Sequence, residues 1–296
     1  MSAIATGRPE IPTRLLVHAL LREDGTVDAG DLYTVANLLR MTDQQVRLCV
    51  KRLVDEGRFT QSGRGRKALL RAVSDPAGNL APDADYVRFA YRQDAGLAPW
   101  DGTWRLFAFA IPESRRSARD ALRETLLHLG AAPLQGGLYV TANPVADIVE
   151  AHAESLDVLD SVTFLTSTDL RLGTITDPTA VAATLWPLGE IRARHERLAA
   201  FAEQCLAALD AAPATDPDRA ATQRLTMAVE LAAEFTRAME PDPLLPPELL
   251  PSPWPGVTAR HLAAACWERL DQAAPEKAPE ASRLRLFRLY SELRPA

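Results

Sequence analysis

Cysteine is scarce in this chain of 296 residues, and long apolar runs are absent. The three cysteines, Cys49, Cys205 and Cys266, stand far apart, so their spacing indicates neither a disulfide framework nor a zinc site. No apolar run approaches the ~18 residues of a membrane span, and Met1 to Glu10 contain no apolar core of a signal peptide. We therefore expect a cytoplasmic protein that has no membrane partner.

Motifs of the common enzyme classes are missing as well. The chain contains no G-x-S-x-G, no G-x-x-x-x-G-K-[ST] and no G-x-G-x-x-G after a predicted strand. Its five histidines are scattered, without the spacing of a metal-binding helix. The sequence thus predicts a protein that is not an enzyme, with no catalytic residue, metal ligand or cofactor to assign.

Charge is unevenly distributed along the chain. The net charge of -6 by itself argues against nucleic acid as a partner. Residues 1–72, however, hold twelve basic and eight acidic side chains, whereas the remainder holds 21 and 31. The N-terminal quarter is therefore the part that suits a polyanion.

A chain of this length has room for two or three domains.

The N-terminal residues follow a helix, helix, helix, strand, strand order. The third helix is the clearest, because Thr42 can cap it and apolar residues recur at i, i+3, i+4, i+7 and i+8 from Val46 to Val54. Two short strands are predicted at 59–61 and 68–70, with a basic turn between them that contains two glycines. This order predicts a winged helix-turn-helix.

The third helix and the basic turn carry the side chains that would contact DNA. The second helix of the turn motif lies in the major groove, where glutamine and arginine suit adenine and guanine. Basic side chains beside glycines can approach a narrow minor groove. The predicted DNA-binding residues are Thr42, Gln44, Gln45, Arg47, Leu48, Lys51, Arg52, Arg64, Arg66 and Lys67. The alternative is a helical core whose charged face is only solvated.

A second unit begins near Trp100, with strands and helices in the order β-α-β-β-α-β. This order is typical of a ferredoxin-like α+β sandwich. A further strand is possible at 169–173. The rest is helical except for residues 241–255, which hold seven of the 22 prolines. The predicted helices there are 179–209, broken at Pro187, and 217–239, 259–270 and 280–293.

The predicted architecture is an α+β chain of several domains. Its parts are a winged helix-turn-helix at 1–73, a linker with a short helix at 74–99, a ferredoxin-like domain at 100–178 and a helical C-terminal domain at 179–296.

One helix of the central unit concentrates arginine. Arg115, Arg116, Arg119 and Arg123 could hold the phosphates of a coenzyme or nucleotide. They could equally pair with Asp120 and Glu124 on a solvated face, and the residues favour this second interpretation.

Three stretches resemble the PaaX family, repressors of phenylacetic acid catabolism and their relatives. The first is the N-terminal winged-helix order. The second is W-D-G-T-W-R at 100–105, which continues through I-P-E at 111–113 into the arginine-rich helix and reaches L-Q at 134–135. The third is D-P-L-L-P-P-E-L-L-P at 242–251, followed by W-P-G at 254–256.

The resemblance implies a homodimeric repressor that binds a double-stranded DNA operator and is released by an aryl-acyl-CoA, with the four arginines as effector contacts. It also implies a central domain similar to small CRISPR-adaptation nucleases. Two rival functions remain open at this point. One is a metal-dependent nuclease, against which Ala110 stands where the family often has aspartate; the other is a DNA-bound adaptor without a ligand.

Overall fold

The computed structural model describes residues 11–73, 84–211, 217–272, 283–287 and 293. They form a mixed α+β structure with two antiparallel sheets. No helix among these residues is long and apolar enough to cross a membrane. The helices are α1 (Thr13–Ala19), α2 (Ala29–Leu38), α3 (Asp43–Asp55), α4 (Ala84–Asp94), α5 (Arg116–His128), α6 (Ala146–Ser155), α7 (Pro178–Leu185), α8 (Leu188–Asp210), α9 (Pro217–Met239) and α10 (Pro255–Gln272). The strands are β1 (Thr26–Asp28), β2 (Phe59–Ser62), β3 (Leu69–Ala72), β4 (Trp104–Phe109), β5 (Ala132–Gln135), β6 (Leu138–Thr141) and β7 (Val162–Ser167).

Contacts divide the chain into two compact units. The first contains residues 1–88, 196–237 and 258–296, and the second contains residues 89–195 and 238–257. The four segments expected from the sequence, with the boundaries between them, stay predictions.

The N-terminal part of the first unit has one more strand than the sequence predicted. The strand β1 precedes α2 and pairs with β3, which also pairs with β2, so the sheet order is β1-β3-β2. The first helix ends at Ala19, before the chain reaches Arg22. Arg22 instead donates its N–H to the carbonyl oxygen of Thr26. Three residues are too few to show the alternating pattern of a strand, so the sequence does not predict β1.

Residues near the C-terminal end of the chain complete this part of the first unit. The N–H of Glu23 donates to the carbonyl oxygen of Arg283, and the N–H of Arg285 donates to that of Leu21, both at 2.9 Å. Leu284 is buried there. The helix predicted over 280–293 falls largely outside the described residues.

The sheet of the second unit has the predicted β-α-β-β-α-β element order. Its strand order is β5-β6-β4-β7, and all neighbouring strands are antiparallel. On one face, Phe107 and Tyr139 pack against α5 and α6. On the other, Trp104 and Leu106 pack against α7, the start of α8 and Leu245. The strand considered for 169–173 is not formed, since only a single bridge joins Leu172 to Ile175.

The proline-rich segment is held against the second unit by buried hydrogen bonds. Asn143 donates to the carbonyl oxygen of Pro243, and Gln93 donates to that of Leu244, both at 2.9 Å. Asp242 accepts from the N–H of Leu244 and lies 2.6 Å from Nε2 of buried His195. As predicted, no α-helix forms in this segment, which contains only a short 3₁₀ turn at Pro247–Leu249.

Candidate nucleic-acid interface

A complete capping box fixes the start of α3. The Thr42 hydroxyl accepts from the N–H of Gln45, and the Gln45 side-chain oxygen accepts from the N–H of Thr42 at 2.8 Å. Asp43 in the first turn adds a negative charge where the helix dipole is positive. The buried side of the helix consists of Val46, Val50 and Leu53, whereas Cys49 and Val54, which the periodicity also placed on this side, are half-buried.

The opposite side of α3 is open to solvent. Gln44, Arg47 and Arg52 are exposed, and Leu48 keeps 56% of its surface accessible. Lys51 is also exposed, and its Nζ lies 2.9 Å from a carboxylate oxygen of Asp55, one helical turn away. Exposed ion pairs of this kind are weak, so Lys51 can readily exchange Asp55 for another anion. This exposed row is the face from which the sequence predicted base contacts.

Gln45 differs from its neighbours on this face. Its side-chain oxygen is already occupied by the N–H of Thr42. A bidentate contact with adenine needs both the oxygen and the amino group, so Gln45 would have to break the cap to make one.

The turn between β2 and β3 depends on two glycines in the left-handed region. Gly63 has φ +79°, and a Cβ there would lie 3.1 Å from the carbonyl oxygen of Lys67, so a side chain would combine backbone strain with a tight contact. Gly65 has φ +60° and opens a short 3₁₀ turn, Gly65–Lys67. The exposed basic residues of the turn, Arg64, Arg66 and Lys67, therefore stand at the tip of the hairpin.

Arg66 attaches the hairpin tip to the helices. Its guanidinium lies 5.7 Å from the ring centroid of Tyr33 on α2, and one of its nitrogens lies 3.9 Å from a carboxylate oxygen of Asp43. These contacts join a cation to an aromatic face and a carboxylate at once. Tyr33 was not among the predicted site residues, because nothing in the spacing along α2 indicates that a residue from the hairpin covers it.

A groove of about 370 Å³ runs between α3 and the hairpin. Its floor is apolar and includes Leu32 and Val50. Four of the predicted DNA-binding residues line it: Arg47, Lys51, Arg64 and Arg66. Asp43 and Asp55 line it as well, so the rim carries four positive and two negative charges. The other six predicted residues lie outside the groove: Thr42, Gln44, Gln45, Leu48, Arg52 and Lys67.

A buried histidine lies beneath the hairpin. His18 of α1 packs against Phe59 of β2, with ring centroids 5.6 Å apart. Burial lowers the pKa of His18 to about 4, and the positive charges of Arg14 and Arg58 contribute to the lowering. The ring is therefore neutral at physiological pH and contributes packing, not charge, to this unit.

The arginine-rich helix α5, together with Arg115 directly before it, is the second candidate site, and three of these four arginines have partners in the described structure. Arg115 donates to the carbonyl oxygens of Leu156 and Asp157, which follow α6 directly. Arg119 binds Glu113 at 2.7 Å, and Arg116 lies 3.5 Å from Asp120. Pairing with Asp120 was anticipated from the sequence, whereas Glu113 takes the place expected for Glu124. Arg123 is exposed.

No group of three histidine, cysteine, aspartate or glutamate side chains that could hold a metal ion occurs in the described part of the chain. Ala110 is exposed just after β4. The side chain of Glu113 faces the guanidinium groups of Arg116 and Arg119.

Comparison with known proteins places these features in a family. A family model for the "PaaX protein central Cas2-like domain" matches residues 97–181, and one for the "PaaX-like protein C-terminal domain" matches residues 186–278. Together they cover more than half of the chain. The chain belongs to the PaaX family. This confirms the resemblance seen in the sequence.

One curated relative spans most of the chain. The transcriptional repressor PaaX of Escherichia coli (strain K12) is 26% identical over 278 residues, which are 93% of this chain and 84% of the relative. A solved structure of an uncharacterized protein from Mycobacterium tuberculosis is 21% identical and matches 88% of this chain and 98% of its own, with a TM-score of 0.47.

The motifs that this PaaX-family chain shows have structural roles in the second unit. In W-D-G-T-W-R, Trp100 and Trp104 meet edge to face at 5.3 Å, and Trp104 stacks on Trp186 at 6.3 Å. Arg105 bonds Asp101 and the carbonyl oxygen of Ala142, and its hydrogen bond lowers the pKa of the Asp101 carboxyl. The motif therefore builds the core and fixes the start of β4.

Proposed function

We propose that this protein is a transcriptional repressor that binds double-stranded DNA through its N-terminal winged helix-turn-helix. The observation that carries the proposal is the groove in which Arg47 and Lys51 of α3 face Arg64 and Arg66 of the hairpin tip. The name of the Escherichia coli relative supports the same class of function.

The helix α3 and the hairpin tip would contact different parts of the DNA. The exposed row of Gln44, Arg47, Leu48 and Lys51 on α3 suits base edges in the major groove. The basic tip of the hairpin suits phosphates or the neighbouring minor groove. In a homodimer, two such helices about 34 Å apart would read half-sites one helical turn from each other.

The test begins with selection of binding sites from random DNA by the full-length protein. Arg47→Ala together with Lys51→Ala should then weaken binding to the selected site by about 1–3 kcal/mol for each base that the variant no longer reads. A matched control removes two exposed arginines elsewhere, with Arg88→Ala and Arg171→Ala. Equal affinity of the double variant and the control would refute α3 as the reading helix.

The hairpin tip is tested by salt. Replacement of Arg64, Arg66 and Lys67 by alanine should weaken binding to many DNA sequences alike. It should also lower the slope of log affinity against log salt concentration by about 0.9 for each phosphate that is no longer neutralised. An unchanged slope, measured by fluorescence anisotropy over a range of salt concentrations, would show that the tip does not meet phosphate.

The finer part of the proposal concerns release from DNA. We propose that an aryl-acyl-CoA binds the arginine-rich helix and favours a conformer that cannot hold the operator. The effector class comes from the resemblance to the PaaX family. Arg123 is exposed and can turn toward phosphates, whereas Arg116 would have to exchange Asp120, and Arg119 would have to exchange Glu113, for the ligand.

Calorimetry with a panel of aryl-acyl-CoA thioesters tests this part. Arg116→Ala with Arg123→Ala should weaken effector binding and the release of DNA, while leaving the affinity for DNA alone unchanged. Coenzyme A without an acyl group serves as the ligand control. The proposed effector site would be refuted if no thioester gave heat on titration, or if thioesters still released the double variant fully from DNA. Neither result would bear on the proposed DNA interface.

A further inference from the structure

The turn between α2 and α3 contains an arginine in an unusual backbone conformation. Arg40 has φ +62°, in the left-handed region that residues with a Cβ rarely adopt. The N–H of Arg40 donates to the carbonyl oxygen of Asn37 at 3.0 Å, and the N–H of Met41 donates to that of Ala36 at 2.9 Å. These two bonds form a Schellman motif, in which the residue directly after the helix cap is usually glycine.

Glycine would occupy position 40 at a lower cost. The Cβ of Arg40 crowds its own backbone at positive φ, whereas glycine adopts the same φ freely. In the described part of the chain, ten glycines and three other residues have positive φ, so the fold uses glycine at most such positions. The end of α2 therefore gives no reason for an arginine, and the reason has to lie in the side chain.

The other two non-glycine residues with positive φ have visible roles within the second unit. Asp157 places a carboxylate oxygen 3.2 Å from a guanidinium nitrogen of Arg115. Leu244 is buried, with 3% of its surface accessible. An ion pair in one case and the burial of an apolar side chain in the other can offset the backbone strain.

The side chain of Arg40 has no comparable role. It is exposed, and it makes no hydrogen bond, ion pair or ring contact with any residue that the structure describes. Its guanidinium can therefore donate all of its N–H groups to a ligand. A strained backbone that carries a charged side chain without a partner in the described structure is typical of a functional site.

The location of Arg40 indicates the chemistry of that ligand. In a helix-turn-helix, the second helix enters the major groove with its N-terminal residues at the bases, and the first helix crosses the sugar-phosphate backbone. Arg40 lies in the turn between α2 and α3, two residues before Thr42, the N-cap of α3. A side chain at this turn lies beside the backbone that borders the groove, where phosphate oxygens accept from a guanidinium.

We propose that Arg40 binds a phosphate of the DNA backbone at the edge of the groove that α3 enters, and that the strain at residue 40 is retained for this contact. The inference rests on the proposed function, since it requires that α3 reads DNA. It adds an arginine outside α3 and the hairpin to the binding residues. Because phosphates are the same at every base pair, the contact should strengthen binding to all sequences alike.

The experiment compares three substitutions of Arg40 in the full-length protein. Arg40→Gly removes both the charge and the strain, Arg40→Gln removes the charge alone, and Arg40→Lys keeps the charge. Arg171→Gln removes an exposed arginine of the second unit and serves as the control. Fluorescence anisotropy over a range of salt concentrations measures the affinity for DNA, and urea unfolding without DNA measures stability.

Arg40→Gly and Arg40→Gln should both weaken binding at least about fivefold at low salt. Both should also lower the slope of log affinity against log salt concentration by about 0.9. Arg40→Lys and the control should keep the original slope. The ratio of affinities for the selected site and for an unrelated sequence should stay constant, because a phosphate contact carries no sequence information.

The stability of the variants should change in the opposite direction to their affinity. Arg40→Gly should unfold at a higher urea concentration than Arg40→Gln, since glycine relieves the strain at positive φ. A residue that only supported the fold would lose stability and DNA binding together. Weaker binding by a more stable variant therefore separates a DNA contact from a structural role.

Three results would overturn the inference and leave the proposed function in place, provided that the variant with Arg47→Ala and Lys51→Ala binds DNA more weakly. The first is an unchanged salt slope in Arg40→Gly and Arg40→Gln. The second is an equal loss of slope in the control, which would assign the effect to net charge. The third is a changed ratio between the selected and the unrelated sequence, which would mean that Arg40 reads a base. Failure of the unmodified protein to bind any DNA would overturn both proposals.

Discussion

Thr42 and Gln45 show how strongly one residue's local hydrogen bonds constrain what it can do elsewhere. Both were candidates for DNA contact, and both are joined in the capping box of α3. Their exposure leaves them accessible to DNA, but the cap is what they contribute to the free protein. The contribution of Thr42 to stability can therefore be measured apart from its proposed contact with DNA.

We expect Thr42→Ala to lower the free energy of unfolding by about 1 kcal/mol, because the N–H of Gln45 loses its acceptor. Thr42→Ser keeps the hydroxyl and should stay within a few tenths of a kcal/mol of the original protein. Urea titrations followed by circular dichroism measure both. A loss as large in the serine variant as in the alanine variant would assign the effect to the methyl group instead.

His18 gives a residue-scale prediction about pH. Burial lowers its pKa in the folded protein to about 4, below the ordinary value of 6.5, so the unfolded chain binds the proton more tightly. Its neutral form is therefore favoured in the folded protein, and the free energy of unfolding falls as the pH drops from 6.5 toward 4. The slope in this window should reach about 1.4 kcal/mol per pH unit.

The matched variant for this prediction is His18→Leu, which fills a similar volume without a titrating group. Both ring nitrogens of His18 are buried without a hydrogen-bond partner in the described structure, so no bond is removed. The free energy of unfolding of the variant should depend less on pH between 4 and 6.5. Identical slopes in urea unfolding at several pH values would disprove the assignment.

At the scale of elements, the long periodic segments were predictable and the short ones were not. The apolar stripe of α3 predicted the helix and its buried face, and α9 has the bounds 217–239 expected from its composition. The strand β1 and the bridge at Leu172 are too short for periodicity and depend on partners elsewhere in the chain. The same limit applies to the groove, where Tyr33 joins the site through a tertiary contact alone.

The end of α5 provides a prediction for an element junction. Gly130 has φ +80°, and a Cβ there would lie 2.4 Å from the carbonyl oxygen of Pro243. Its own carbonyl oxygen accepts from Nε1 of Trp186 at 3.0 Å. Gly130→Ala should therefore destabilise the second unit by more than about 3 kcal/mol, since neither backbone can yield without breaking buried bonds.

Gly136 is the control for this junction. It also has positive φ, at +57°, but a Cβ there would meet nothing within 4 Å. Gly136→Ala should cost only the backbone strain, about 1 kcal/mol. Differential scanning calorimetry separates the two cases, and equal effects of the two substitutions would mean that the approach of Pro243 adds nothing.

At the scale of the whole molecule, the first unit is assembled from both ends of the chain. The hydrogen bonds of Leu21 and Glu23 with residues 283 and 285 are backbone bonds, so no sequence pattern indicates them. Leu284 and Phe287 add apolar burial, and Phe287 lies 6.2 Å from Trp267 of α10. The N-terminal elements are therefore expected to need the distant segment for full stability.

A chain that ends at residue 282 tests this dependence. The amide of Glu23 should lose its acceptor and exchange much faster, and the melting temperature should fall, because the apolar side chains of the segment are no longer buried. Phe287→Ala keeps the backbone bonds and should lower the melting temperature while leaving the Glu23 amide protected. An unchanged exchange rate of Glu23 in the truncated chain would contradict the expectation.

The pairing of residues 21–23 with residues 283–285 also limits when this part of the first unit can fold during biosynthesis. A ribosome adds about 5–20 residues per second, so roughly 260 residues and tens of seconds separate the appearance of the two partners. During that interval, the N-terminal helices are present without residues 283–285, which later bind to this part of the unit. A nascent chain therefore cannot form these bonds before residues 283–285 have been synthesised, and a product released earlier by premature termination would lack them. The proposed binding of DNA would in this way be limited, for incomplete chains, by folding itself.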